Sequence, residues 1–511
     1  LSKQPINPDL IQLSDADNVT VTLRDFFRGE LIESLNFCEL PADVPRGHKI
    51  ALRAIGKGEN LIRYGQIIGS ATCEISAGEH VHTHNCGMDD HVRDYAYTQG
   101  CIPLKPANEQ RTFLGYHRAD GRVGTRNYVG IVTSVNCSGS VAQFIAKAAE
   151  KSDWFAKLEN VDGIVPITHA GGCGMASDDE GYRTLFRTIT GYAKHPNFAA
   201  ILLIGLGCEV LQIPDLIGKE RLREDGLFKY MTIQAAGGTR KSVEDGVETV
   251  RALALEADKC KRAPAPVSEI VVGMQCGGSD GMSGISANPS LGVASDLLVR
   301  HGGTSILSET SEIYGAEHLL TRRAENKEIG EALIERIHWW EDYTSRNDGQ
   351  INNNVSPGNQ RGGLTTILEK SLGAVAKSGA APLSGVYKYG EPLDRKGFVF
   401  MDSPGYDPCS VTGQIASGAN LICFTTGRGS VSGYQPTPCI KVSSNDDLFA
   451  RLCEDIDLNC GDVISQGVTL QEKGRELFEM FIRVASGEQT KSEAQGFGGV
   501  EFVPWMIGAV V

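Results

Sequence analysis

Val129-Gly-Ile-Val-Thr-Ser-Val135 runs straight into Asn136-Cys137 and then into a helical stretch over 140–152. A run this apolar, without alternation, suits a strand buried on both faces, as in a parallel sheet covered by helices. The same grammar recurs downstream. GIVPIT (163–168), AILLIG (200–205) and KYMTI (229–233) read as strands, and a long helix is expected over 242–261. After the proline-bearing APAPVSE (263–269) the pattern restarts. EIVVGM (269–274) and TSILSE (304–309) are strands flanking a helix at 291–301, and 328–343 reads as an amphipathic helix. A polar Asn/Gly-rich loop (347–363) and LICFTTGRG (421–429), a strand and turn, complete the body. Upstream, VTVTL (19–23), HKIAL (48–52) and CEI (73–75) are short β segments separated by turn residues. The expected fold class is α/β: a small β module over 16–90, a linker over 91–112, and parallel α/β domains over 113–265 and 266–511.

The chain has 511 residues, with 49 Lys and Arg against 63 Asp and Glu, a formal net charge of −14. Without a concentrated basic cluster, nucleic acid is not the expected partner. The longest clean apolar run, about 198–206, falls far short of the ~20 residues that span a bilayer, so no membrane partner is expected. LSKQPINPDL (1–10) has no basic-then-apolar layout, so no signal peptide is read there. The 14 Cys are not spaced like a secreted disulfide scaffold, and reduced thiols in the cytoplasm are the expectation.

In open α/β sheets ligands sit beyond the carboxyl ends of the strands. Four cysteines fall at such ends: Cys137, Cys173, Cys208 and Cys276. His169, Glu209, Asp280 and Glu309 follow strands in the same frame. Buried cysteine is often a small hydrophobe, but four at equivalent positions point to a metal or catalytic group. The spacing names neither a mononuclear ion nor an iron–sulfur cluster. A second signal is GEHVHTHN (78–85). Strand alternation there puts His80, His82 and His84 on one face, suited to a divalent metal or an anion. Arg126 and Arg428 lie in glycine-rich turns and either clasp a carboxylate or brace the turn. Lys370 and Lys377 lie in EKSLGAVAKSG (369–379). Either is a candidate for substrate binding or base chemistry, and a surface helix is expected for one of them. IGLGCEV (204–210) starts like a dinucleotide fingerprint, but Val210 stands where the third glycine belongs, so a nicotinamide cofactor is not expected. Walker A and GxSxG motifs are missing.

GEHVHTHN (78–85), YHRADGRVGTRN (116–127), THAGGCG (168–174), IGLGCE (204–209), MQCGGSDGMSGISANP (274–289), SPGNQRGG (356–363) and FTTGRG (424–429) together resemble the altronate/galactarate dehydratase family. The His cluster resembles the altronate branch more closely. The resemblance implies an N-terminal β-clip of the SAF type, a body with Rossmann-like parts, a need for Fe2+ or Mn2+, and a cytoplasmic homodimer. It implies loss of water between C2 and C3 of a sugar acid, D-altronate, through a metal-stabilised enediolate to a 2-keto-3-deoxy acid. Galactarate dehydration and sulfite elimination from sulfolactate are the alternatives, with a sugar-acid binding protein as the reading outside enzymology. The expected catalytic residues are His169, Glu309 and Lys377. Substrate contacts are expected from Arg126, Asn127, Asp280, Asn288, Arg428, His82 and His84. The expected metal ligands are Cys137, Cys173, Cys208, Cys276, His80, His82 and His84, with a [4Fe-4S] cluster as the alternative cofactor.

Overall fold

In the computed structural model, which describes residues 9–32, 38–88, 93–220 and 226–508, Tyr128–Thr133 is an inner strand of a four-stranded parallel sheet. Its order is Gly163–Ile167, Tyr128–Thr133, Phe198–Gly205, Phe228–Thr232. All six residues of Tyr128–Thr133 are buried, as an uninterrupted apolar run requires. Val129 and Ile131 pack with Val141, Ile145 and Val250 of the Gly139–Glu150 and Thr239–Ala257 helices. Tyr128 and Val132 pack on the other face with Leu185 and Ile189 of Glu180–Ala193. Entry and exit of this domain lie side by side, because Thr112–His117 pairs antiparallel with Ala263–Pro266.

The following domain is a seven-stranded sheet ordered Leu383–Tyr387, Gly397–Met401, Thr304–Leu307, Val271–Cys276, Leu421–Thr426, Cys439–Ser443, Leu458–Asn459, with every neighbouring pair parallel. Fully buried Phe398, Phe400 and Phe424 line it, each stabilising the fold by roughly 1.5–3 kcal/mol. The chain leaves Val271–Cys276 toward one side of the sheet and later returns along its other side through Leu421–Thr426. Their carboxyl ends therefore flank a topological switch point, where open α/β sheets bind ligands. Among the described residues no helix is long and apolar enough to cross a membrane.

The N-terminal module holds an antiparallel sheet ordered Leu10–Ile11, Val19–Thr22, Lys49–Ala51, His80–Val81. A second, smaller sheet is built from Asn60–Arg63, Gln66–Ala71 and Cys86–Gly87. CEI (73–75) forms no strand; only Ile75 bridges, to Ile55. The expected boundary at 90 and 91 lies outside the described residues. Residues 93–111 hold no helix or strand and are pinned to the body by Arg93, whose Nη1 lies 2.9 Å from Glu317 Oε1. Module and body share one core, in which Val19, Ala51, Ile55 and Leu61 join Met274, Leu307 and Phe400.

A buried ion triad fixes the docking. Lys49 Nζ lies 2.9 Å from Glu369 Oε2 and Arg63 Nη1 lies 2.5 Å from Glu369 Oε1. Lys49 also donates to the Gly363 carbonyl and Arg63 to the Gly281 carbonyl. Burial alone would raise the Glu369 pKa, but Lys49 and Arg63 outweigh it and hold it down at about 2. A carboxylate depressed in the folded state adds stability above its unfolded pKa, and that stability is lost as the pH falls through the folded value. Glu369→Gln is therefore expected to cost about 3–5 kcal/mol at neutral pH, the usual cost of leaving a buried charge unpaired. The variant should also lose the part of the wild-type acid destabilisation that falls between pH ~4.5 and ~2. Urea melts at several pH values check both, and a parallel pH dependence in wild type and variant would contradict the linkage.

Candidate active site

Cys276 is the last residue of its strand, and its thiol is buried beside two carboxyls and an ammonium. Lys377 Nζ donates to Cys276 Sγ at 2.9 Å and lies 3.9 Å from Glu309 Oε2. Cys276 Sγ faces Glu312 Oε2 at 3.6 Å, and Glu312 Oε1 pairs with Lys370 Nζ at 2.8 Å. Lys370 also donates to the carbonyl and side-chain oxygens of Asn354. Cys276, Glu309 and Glu312 each bring one ligand atom within 4.8 Å of the others. The lysines reach this point because all nine residues of Ile367–Val375 are buried, as is Lys377 just beyond it. The surface helix expected for one of them is thus not found. Gly277 makes room for Asp407, since a Cβ there would meet Asp407 Oδ2 at 2.3 Å and Phe424 Cζ at 2.6 Å.

Glu309 is held in a left-handed conformation, φ 70°, with its N–H donating to Ser403 Oγ. A non-glycine residue in that region stores roughly 1–3 kcal/mol of strain, a cost that concentrates at functional sites. Both of its carboxyl oxygens are buried without a hydrogen-bond partner. Burial first, then nearby Glu312, pushes the Glu309 pKa well above the carboxylate range. Burial also raises Asp407, to about 6, with help from Glu312, and raises the Cys276 thiol to about 12. Burial opposes the Lys377 ammonium, but Cys276, Glu309 and Glu312 outweigh it and lift its pKa. Glu312 does the same for Lys370. Burial thus pushes the Cys276 thiol and the Glu309 carboxyl toward their neutral forms, while the acidic neighbours of Lys370 and Lys377 favour the ammonium.

Three imidazoles gather on the module. The pairing Lys49↔Val81 and Ile50↔His80 brings His48 beside His82, with ring centroids 4.9 Å apart. His48 Nδ1 lies 3.0 Å from His80 Nε2, and His48, His80 and His82 each bring a ring nitrogen within 4.8 Å of the others. The strand ends at Val81, so alternation does not align His84. A turn does so instead, closed by Asn85, which accepts from His82 N and donates to the His80 carbonyl. The exposed His84 ring lies 5.5 Å from that of His80. Burial lowers His80 to about 3, with His48 and His82 adding to it. Burial and Lys49 lower His82 to about 4. These rings are neutral at pH 7 and keep lone pairs for a cation, and buried His82 Nδ1 has no partner. His48 Nε2 sits 3.3 Å from the Arg361 carbonyl, and Asn359, on the same turn, donates to the Ser279 carbonyl three residues past Cys276. One segment, 354–370, thereby touches both groups.

Several expected site residues turn out to be braces. Arg126 spends its guanidinium on Glu493, with Nε–Oε1 2.6 Å, and on the carbonyls of Thr125, Val484 and Glu488. Asn127 ties Asp162, Asn160, Ala257 and Arg118 together. Asp280 accepts from Met282, Ser283, Ser444 and Asn445. Asn288 bridges Gly373 and Thr425. His169 lies in the other domain. Its Nε2 contacts the Thr133 carbonyl at 3.0 Å and its Nδ1 accepts from Gly171 N, so neither nitrogen is left for proton transfer. Cys276 does not join the other three cysteines, since Cys137, Cys173 and Cys208 follow strands of the four-stranded sheet. Arg428 remains exposed and makes no ion pair among the described residues. His48, Glu312 and Asp407 were not singled out from sequence. The ETSE spacing of Glu309 and Glu312 was a readable signal; His48 needed the strand pairing.

A parallel α/β body docked under a small β module places buried carboxyls, a thiol and two lysines at its switch point, and its similarity to sugar-acid dehydratases makes the chain a carbon–oxygen hydro-lyase. Three family descriptions cover the chain in order: "Altronate/galactarate dehydratase SAF domain" over 8–89, "D-galactarate dehydratase/Altronate hydrolase, second domain" over 115–258, and "D-galactarate/Altronate dehydratase, C-terminal" over 267–510. The chain is 35% identical to the altronate dehydratase of Bacillus subtilis, over 95% of this chain and 97% of that one. It is 37% identical to the galactarate dehydratase (L-threo-forming) of Escherichia coli, over 94% and 93%. The beta subunit of the (2R)-sulfolactate sulfo-lyase of Chromohalobacter salexigens is 33% identical over 76% of this chain and 95% of its own length. The chain belongs to the altronate/galactarate dehydratase family.

Proposed function

We propose that the chain dehydrates D-altronate at C2–C3 to a 2-keto-3-deoxy acid, and that the buried Lys377–Cys276–Glu309–Glu312 group moves the protons. The observation that carries this reading is Glu309, strained, pushed by burial toward its neutral form and without a hydrogen-bond partner, 3.9 Å from the Lys377 ammonium. The C2 proton is a poor acid, so charge must be stabilised as it leaves. In this reading Glu312 takes the C2 proton, the Lys377 ammonium stabilises the enediolate, and Glu309 gives its proton to the departing C3 hydroxyl. Water leaves, and the enol tautomerises to the keto acid. Gln275, Ser279 and Ser371 hold buried polar atoms without partners on the same segments, suited to a polyhydroxy chain.

The family's divalent ion, Fe2+ or Mn2+, fits the His48, His80 and His82 group, where three neutral imidazoles leave coordination positions open. When bound it supplies Lewis-acid polarisation of substrate oxygens. A second placement, at Cys276, Glu309 and Glu312, is favoured by the two unpartnered oxygens of Glu309. A second substrate, galactarate, is favoured by Arg428 and Arg361. Both are exposed with guanidiniums unpaired among the described residues, enough for two carboxylates. The same reading places the enzyme in the cytoplasm as a homodimer.

The test is keto-acid formation from altronate, galactarate and sulfolactate by anaerobically purified protein supplied with Fe2+ or Mn2+. Altronate turnover is expected. Turnover of galactarate alone moves the assignment to the diacid, sulfite release moves it to the sulfo-lyase reaction, and binding without product contradicts catalysis. Arg428→Lys is expected to raise KM by about 10–100-fold, the worth of a charged hydrogen bond that lysine does not reproduce. An unchanged KM would remove Arg428 from the substrate site.

A further inference from the structure

We propose that Cys137, Cys173 and Cys208 bind a four-iron, four-sulfide cluster in the second domain, at a site separate from the Cys276 group. The three residues follow Tyr128–Thr133, Gly163–Ile167 and Phe198–Gly205, which are adjacent parallel strands. The chain moves from Tyr128–Thr133 to Gly163–Ile167 on one side and then to Phe198–Gly205 on the other. Cys137 and Cys208 therefore flank the switch point of this sheet, the crevice where α/β sheets hold ligands.

The three loops form a closed triangle of contacts. Asn136 N donates to the Gly171 carbonyl, and Asn136 Nδ2 to the His169 carbonyl. The Gly172 carbonyl accepts from Val210 N and Leu211 N. Ser134 Oγ donates to Glu209 Oε1 at 2.7 Å, and Ser138 Oγ to the Ile204 carbonyl at 2.9 Å. Gly172, at φ 96°, lets two loops touch, because a Cβ there would meet Ser134 O at 2.2 Å. The two ring nitrogens of His169 are spent bracing this triangle, which accounts for its burial.

All three thiols are free and exposed at this edge. Cys137 lies in the Asn136–Ser138 turn that leads into Gly139–Glu150. Gln234 Nε2 donates to Cys208 Sγ at 3.4 Å. The three sulfurs are not gathered within 4.8 Å as the two groups above are, so they are not set for one tetrahedral ion. A cubane spreads its thiolate ligands wider than a single ion and accepts three of them, leaving one iron with a non-protein ligand. Transfer of a preformed cluster balances without a redox step. Three protein thiols lose their protons and bond to three irons, and the thiolates they displace leave as thiols.

The test combines iron and acid-labile sulfide assays with electron paramagnetic resonance. It uses anaerobically isolated protein and protein treated with a synthetic thiolate-ligated [4Fe-4S] cluster. Roughly four iron and four sulfide per chain are expected, with a signal on reduction. Cys137→Ser, Cys173→Ser and Cys208→Ser should each lose the sulfide and the signal, while Cys276→Ser and Cys453→Ser keep both. Circular dichroism confirms that each variant folds. Iron without sulfide, zinc in place of iron, or sulfide retained in the three variants would overturn the assignment. Since the readout is cluster content, failure here leaves the altronate assay untouched.

Discussion

Lys377→Met is expected to lower kcat by about 10²–10⁴-fold while KM changes by less than about tenfold, the signature of a group that acts mainly in the transition state. Methionine keeps the length of the buried side chain and removes its charge. The enediolate then forms beside Cys276 and Glu309 without a counter-ion. Loss of the ammonium also leaves Glu309 with less to oppose its protonation, so the basic limb of the kcat profile, where the general acid loses its proton, should move to higher pH. A melting temperature close to wild type separates this from unfolding. A kcat within tenfold of wild type would remove Lys377 from the chemistry.

His48→Ala and His80→Ala are each expected to weaken Mn2+ binding by at least about a hundredfold, with activity falling in step unless metal is added in excess. Free Mn2+ measured by paramagnetic resonance reads the affinity directly. His84→Ala serves as the comparison, since that ring is exposed and stands outside the three-nitrogen group. Glu309→Gln should keep Mn2+ and lose turnover. The opposite pattern, Mn2+ retained by His80→Ala and lost by Glu309→Gln, would place the ion at the carboxylates.

The strands around which the body is built were readable because they are buried on both faces. Tyr128–Thr133, Phe198–Gly205, Val271–Cys276 and Leu421–Thr426 all lie within or beside the apolar runs that marked them. Leu383–Tyr387, Gly397–Met401 and Cys439–Ser443 were passed over, since GFVFM and CIKVS are short and sit among glycine, proline and polar residues. Glu309 and Lys377 were singled out from sequence, one after a strand and one in a glycine-rich stretch, and the structure sets them 3.9 Å apart. Arg126 was misleading for a physical reason: a guanidinium in a glycine-rich turn looks the same whether it meets a substrate carboxylate or, as here, Glu493 from a segment 367 residues away.

By itself, the order of residues determined the period of burial, hence the parallel sheets, and it put cysteines and acids at the strand ends. It also determined that three histidines would lie within five residues of one another. Which of these groups meet was decided by the tertiary structure. His48 joins His80 and His82 only through antiparallel pairing across 32 residues. Lys377 reaches Cys276 across 101 residues, and Glu369 meets Lys49 across 320. Two separate sheets divide four look-alike cysteines into three on one edge and one on another. The physical reason is that burial patterns are local and set each element's face, whereas charge pairing and ligand sets form between elements. Sequence distance carries no information about those contacts.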